Sequence, residues 1–181
     1  PTRDWASSLY KEEYNKEMIL YHVSCNDFTE FHKNKINYFS VTKKDSLHFH
    51  NNWRKCEDGS KGILYECNVE LGKVFDSNNL SEEEIHSIEE LVNNTENKSD
   101  LYMLDYGIKD YDFPEETTDF EFILHMLQGV ENWYVIEQPL FIKWMKENNY
   151  DSFIIEEYDF NDNSIGILNP NNIEIINKRQ L

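Results

Sequence analysis

The residues of this chain best suited to chemistry lie on short apolar runs. Leu20-Tyr21-His22-Val23-Ser24 places an imidazole on an apolar strand with a hydroxyl two residues on. Tyr38-Phe39-Ser40 pairs an aromatic with a hydroxyl in the same way, and Phe49 follows Tyr38 by eleven residues. Late in the chain, Asn163-Ser164-Ile165-Gly166-Ile167-Leu168-Asn169 is a further apolar run, preceded by Glu156, Glu157 and Asp162. Neighbouring carboxylates suit general acid–base work. Glu82-Glu83-Glu84 and Glu115-Glu116 read as a solvated helix start and a loop, whereas Glu156-Glu157 ends an apolar strand, where alternation lets one of the two face a given cleft. His48-Phe49-His50 sets two imidazoles on one face of a strand, as metal ligands sometimes stand. No third ligand follows at a recognisable spacing, so these read as exposed polar residues around a buried Phe49. Cys25, Cys56 and Cys67 are odd in number and widely spaced, without a CxxC, so neither a zinc site nor a disulfide framework is expected and a reduced setting fits. The chain has no GxGxxG, GxxxxGK[ST], GxSxG or HExxH, which removes support for a Rossmann fingerprint, a P-loop, a nucleophile elbow and a zincin helix.

The elements that must position these residues follow from periodicity. Strands are expected over residues 18–23, 36–42 and 62–71, the last alternating with period two, and a helical turn over 43–53 covers the second strand. Ser81 and Glu84 stand at capping-box spacing, and Ile85, Ile88, Leu91 and Val92 recur at helical spacing, which predicts a helix to about residue 93. Residues 93–118, rich in Asn, Asp and Glu, read as a long acidic loop with a short element near 101–104. Helices are expected over 119–130 and 138–148, and strands over 151–157, 164–168 and 173–176, with a hairpin turn at 161–164 and a bend at Asn169-Pro170-Asn171-Asn172. Strands at both ends with helices between them give an α+β class. Residues 1–17 read as an N-terminal arm or short helix and 18–181 as one domain.

In this order the runs resemble the ADP-ribosyltransferase superfamily, on the His–Tyr–Glu side that includes poly(ADP-ribose) polymerases and diphtheria-type toxins. Leu20-Tyr21-His22-Val23-Ser24 is similar to the family's opening Leu-Tyr/Trp-His-Gly-Ser/Thr strand, and Tyr38-Phe39 with Phe49 to its Tyr-Phe strand and the aromatic of the following helix. Residues 62–75, ending Gly72-Lys73-Val74-Phe75, resemble its central strand. Residues 133–151, with Ile136-Glu137-Gln138-Pro139 and Asn149-Tyr150-Asp151, resemble the helix and Gly-Tyr-Asp turn of small bacterial and phage members, and residues 165–173 their closing strand and Asn-Pro bend. The likeness spans about residues 18–177.

The resemblance implies a split β-sheet core with flanking helices and NAD as the substrate. His22 then holds a ribose hydroxyl, Tyr38 and Phe49 stack on nicotinamide, and Ser24 or Ser40 bonds its carboxamide. Val23 stands at the pocket wall where the family has a Gly that lets the backbone approach closely. Cleaving the nicotinamide–ribose bond builds an oxocarbenium-like transition state that a carboxylate steadies. The family's Glu position falls on Ser164, so Glu156, Glu157 or Asp162 is expected to substitute, and catalysis is assigned to His22, Tyr38, Glu156 and Asp162. The implied activity is mono-ADP-ribosylation of a protein target, by a bacterial or phage effector acting on a host or defence protein. The alternative is a catalytically degenerate acidic binding protein that occludes a basic partner surface.

Charge narrows the partners. Lys and Arg number 17 against 35 Asp and Glu, so 17 − 35 gives −18 over 181 residues. This disfavours tracking along nucleic acid and docking on an anionic membrane, and suits a basic protein. Aromatics at 14% are too many for a disordered acidic chain. No apolar run approaches the roughly 20 residues of a membrane span, and Pro1-Thr2-Arg3-Asp4-Trp5 carries no signal-peptide-like apolar stretch. A cytoplasmic protein, bacterial or delivered to a host, is expected.

Overall fold

A computed structural model of the chain describes residues 17–33, 35–53, 55–57, 59, 61–103, 116–129, 132–156 and 164–181. β1 (Glu17–Ser24) and β3 (Ile63–Glu70) pair antiparallel along their whole length, from Glu17 against Glu70 to Ser24 against Ile63. Alternation then sorts their side chains. Met18, Leu20, His22 and Ser24 share a face with Val69, Cys67, Tyr65 and Ile63. On that face lies a core of Leu20, Tyr65, Cys67 and Val69, joined by Phe31, Phe39, Leu71, Ile165 and Ile167. The opposite face carries Glu17, Ile19 and Tyr21 beside Glu70, Asn68 and Glu66, and Ile19 is 42% exposed. β7 (Ile173–Gln180) adds to the outer side of β3 with a bulge: Glu66 pairs with Asn177 and Cys67 with Ile175, so Ile176 is passed over and stands exposed.

The other half of the sheet is built from short strands: β2 (Asn37–Ser40), β4 (Val74–Phe75), β5 (Ser152–Ile155) and β6 (Ser164–Ile167). β5 is buried at every residue, and so is β6 after Ser164. The seven strands run β4-β5-β6-β2-β1-β3-β7, antiparallel except for the β4–β5 pair. With five α-helices among the described residues, this is the expected α+β class. The sheet is continuous but almost parted in its middle, because β1 and β2 register through Tyr21 and Ser40 alone among the described residues.

Gly72 links the two halves. It turns the chain from β3 to β4 at φ +57°, and a Cβ there would collide with the Asp151 carboxylate. That carboxylate accepts the Lys73 N–H at 3.0 Å, while the Asp151 N–H donates to the Lys73 carbonyl at 2.8 Å and its carbonyl accepts from Leu168 N–H at 2.8 Å. One aspartate thus ties the start of β5 to β4 and to the end of β6.

The chain forms two compact units. One runs to Phe75 and resumes over Tyr150–Leu181; it holds the sheet and α1 (Lys43–Trp53). The other, Asp76–Asn149, holds α2 (Glu82–Asn94), α3 (Asp119–Leu127), α4 (Trp133–Ile136) and α5 (Pro139–Glu147). The Ser81–Glu84 capping box forms in both directions, and Thr118–Glu121 repeats it at α3, where the bonds from Thr118 hold the Glu121 carboxyl below its ordinary range. Ile88 and Val92 are buried on α2 as expected, and Trp144 Nε1–H donates to Ser87 Oγ at 3.0 Å, joining α5 to α2. α3 ends at Leu127 rather than 130, and α4, a single buried turn, was not expected. Asn149 takes φ +60° after α5; asparagine is among the few residues that accept this backbone.

Candidate functional site

His22 is held on the sheet by one hydrogen bond and four aromatic rings. Its Nδ1 lies 2.8 Å from the Tyr38 carbonyl oxygen across the parting between β1 and β2. A carbonyl only accepts, so Nδ1 carries the proton and Nε2 the lone pair. The ring packs among Phe31, Phe39, Phe28 and Tyr65, with centroids 5.3, 5.7, 6.2 and 6.3 Å away. Burial pulls its pKa below 6.5; the Tyr38 carbonyl opposes this and His50 adds to it. His22 is therefore a neutral imidazole with a fixed tautomer at pH 7.

The loop after β1 closes this aromatic box. Phe28 stacks on Tyr65 at 4.2 Å with planes 6° apart, and its N–H donates to the Tyr65 hydroxyl at 3.0 Å. That hydroxyl donates in turn to the Asn26 carbonyl at 3.2 Å. Lys178 of β7 reaches Asp27 at 2.7 Å, an exposed pair that lowers the Asp27 pKa through the bond to Lys178. Ser24 Oγ accepts the Asn26 N–H at 3.1 Å, so this hydroxyl caps the turn.

The other expected residues divide between the two faces. Phe39 packs with His22, so Tyr38 and Ser40, its neighbours on β2, face the opposite way. The Tyr38 ring stands edge-on to Phe153 at 6.2 Å. Ser164 registers with Ser40, and Ser40 with Tyr21, so Tyr21, Ser40, Ser164 and Ile155 form one row across four strands. Val23 shares the Tyr21 face by alternation. What reaches His22 from Tyr38 is its backbone carbonyl, while its ring lies across the sheet. Glu156 is half-buried just beyond Ile155, and alternation carries it to the His22 face. It stands three strand spacings from β1, about 14 Å. Phe49 is half-buried on α1. Glu157 and Asp162 lie outside the described residues.

No family model and no curated protein matches the sequence. Among solved structures, the chain is similar to one described as an anti-CRISPR protein, with a TM-score of 0.45 and 15% identity over 88% of this chain and 96% of that one.

The cysteines correct the sequence reading. Cys25 and Cys56, 31 residues apart, form a disulfide that joins the end of β1 to the segment after α1. Sequence spacing hides this pairing, because α1 folds back along β1 and brings its C-terminal end to the end of that strand. Cys67 is a buried thiol, pushed up to about 12 by burial and by Glu66, and so is inert. His48 and His50 sit on a helix rather than a strand, where residues two apart diverge. His48 is exposed; His50 is 3% exposed and its Nε2 lies 3.8 Å from Cys56 Sγ. The His-Phe-His motif was the available signal for this corner, but the two cysteines that complete it stand 25 residues before His50 and six after it.

Proposed function

We propose that the chain is an NAD-dependent mono-ADP-ribosyltransferase-like protein of the bacterial or phage cytoplasm, acting on a basic protein. NAD⁺ and a nucleophilic side chain would give nicotinamide, the ADP-ribosylated side chain and a proton. The observation that carries this reading is the fixed imidazole of His22 at the parting of the sheet. Its tautomer is set by the Tyr38 carbonyl, leaving Nε2 to receive a hydrogen bond such as a ribose hydroxyl donates. Burial keeps the ring neutral for that task. Tyr38 and Ser40 lie on the far face of β2, so in this reading their side chains do not reach a cofactor held at His22.

A second reading, a non-catalytic acidic binding protein, is favoured by the row through Ser164. Tyr21, Ser40 and Ser164 offer hydroxyls and Ile155 an apolar side chain, so the row holds no carboxylate where an oxocarbenium would need one. The net charge of −18 suits a basic surface.

The test is nicotinamide release from NAD by the full chain, with calorimetry of NAD binding alongside. His22→Ala weakens NAD binding. One of Glu156→Gln, Glu157→Gln and Asp162→Asn lowers turnover by about 100-fold or more with little change in affinity, since the carboxylate acts on charge that develops in the transition state. NAD binding without turnover supports the second reading on a retained fold, and absence of NAD binding overturns the first.

A further inference from the structure

Cys25, His50 and Cys56 offer two sulfurs and an imidazole nitrogen that all lie within 4.8 Å of one another. Two thiolates and an imidazole are a zinc ligand set, and three protein ligands leave the fourth tetrahedral position to solvent. Ligand atoms around one zinc, with Zn–S about 2.3 Å and Zn–N about 2.05 Å, stand about 3.6 Å apart for S and N and about 3.8 Å for two sulfurs. His50 Nε2 already lies 3.8 Å from Cys56 Sγ. Cys25 is exposed just past the end of β1, where a sulfur released from the disulfide is placed to move.

Two further observations single out His50. It is 3% exposed and turns its Nε2 to Cys56 Sγ, and a disulfide has no need of an imidazole beside it. Gly62 stands against the ring at φ +82°, and a Cβ there would lie 3.0 Å from Nε2 and from Cε1, so glycine keeps open the side of the ring that turns toward the sulfurs.

We propose that Cys25, His50 and Cys56 form a zinc site when their disulfide is reduced, so that one corner of the fold is clasped by a covalent bond under oxidising conditions and by a metal ion under reducing ones. The reduction takes two electrons and two protons: a phosphine reductant transfers the electron pair, becomes a phosphine oxide with oxygen from water, and leaves two thiols. Binding Zn²⁺ then releases the two thiol protons to solvent. Either clasp holds the start of the loop that carries Phe28 over Tyr65 to the end of α1.

Cobalt(II) reports the site directly. The full chain, reduced with a water-soluble phosphine that is then removed, is titrated with Co²⁺ without air. The expected result is thiolate-to-cobalt charge transfer and tetrahedral d–d bands that saturate at one ion per chain, with zinc displacing the cobalt. The oxidised chain shows neither. Cys25→Ser and Cys56→Ser lose the spectrum, His50→Gln weakens binding by more than the roughly 100-fold that loss of a merely supporting partner costs at most, and Cys67→Ser and His48→Ala leave it unchanged. Zinc raises the melting temperature of the reduced chain and not of the oxidised one. Should His50→Gln fail to fold, the wild-type spectrum and the cysteine variants decide. No saturating band in the reduced wild type, the same band in the oxidised chain, or its survival in both cysteine variants overturns the proposal.

Discussion

The two halves of the sheet solve the burial problem differently. β1, β3 and β7 are eight residues each, long enough to alternate, so they bury Leu20, Tyr65, Cys67 and Val69 on one face and leave Glu17, Ile19, Glu70 and Glu174 on the other. β2, β4, β5 and β6 have two to four residues each, and β5 is buried at every one of them. Antiparallel pairing with one wet face permits the first pattern; a strand covered on both sides calls for a near-continuous apolar run, and the polar residue of β5, Ser152, donates its hydroxyl to the Leu71 carbonyl at 2.7 Å. The candidate chemistry lies where the halves part. His22 comes from the alternating half, at a position where alternation would place a core residue, and its polar demand is met by the Tyr38 carbonyl of the other half. Taking a polar group out of water costs stability unless it is bonded, and the Nδ1 contact across the parting supplies that bond to the half-buried ring.

The largest break in the comparison comes from the doubly buried half. Phe153 on β5 is wholly buried, so Phe153→Ala removes a large side chain and leaves a cavity, lowering stability by about 3–5 kcal/mol. Chemical denaturation would show it as a lower midpoint with unchanged slope, and a loss under 1 kcal/mol or so would mean that this face of β5 is not packed.

The parting itself gives a pH signature of intermediate size. The pKa of His22 is lowered by burial from 6.5, so below about pH 6.5 the unfolded chain binds a proton that the folded chain takes up less readily. The stability due to the neutral ring is present above pH 6.5 and lost as pH falls toward the lowered folded value. Against His22→Gln, the wild-type advantage in melting temperature therefore shrinks between pH 7.5 and 5, with His50 the other ring whose charge bears on it. A pH-independent difference would mean that the ring is not buried as a neutral base.

The smallest effect is expected on the wet face of β1. Ile19→Ser changes a residue 42% exposed, and stability should move by no more than about 0.5 kcal/mol. A loss of more than about 1.5 kcal/mol, the range of a buried aliphatic, would show that this face is covered.

Much of the fold was legible because local physics decided it. The alternation of residues 62–71 became β3, and Ser81 with Glu84 became a capping box, since both depend on neighbours a few residues away. Less legible was which face each candidate residue takes. The resemblance puts His22, Tyr38 and the Ser164 position in one pocket, but a one-residue change of register exchanges the faces of a strand, and the register of β2 against β1 places Tyr38 and Ser164 opposite His22.

By itself, then, the sequence determined the α+β class, the polarity of the alternating strands and the start of α2, because each rests on periodicities of two or 3.6 residues or on a cap within one turn. Tertiary structure alone decided that Cys25 meets Cys56, that His50 turns its Nε2 toward their sulfurs, and that the His22 ring bonds a carbonyl sixteen residues away. Those contacts depend on how α1 returns along β1 and on a register set by a single strand pair, and neither leaves a local pattern in the chain.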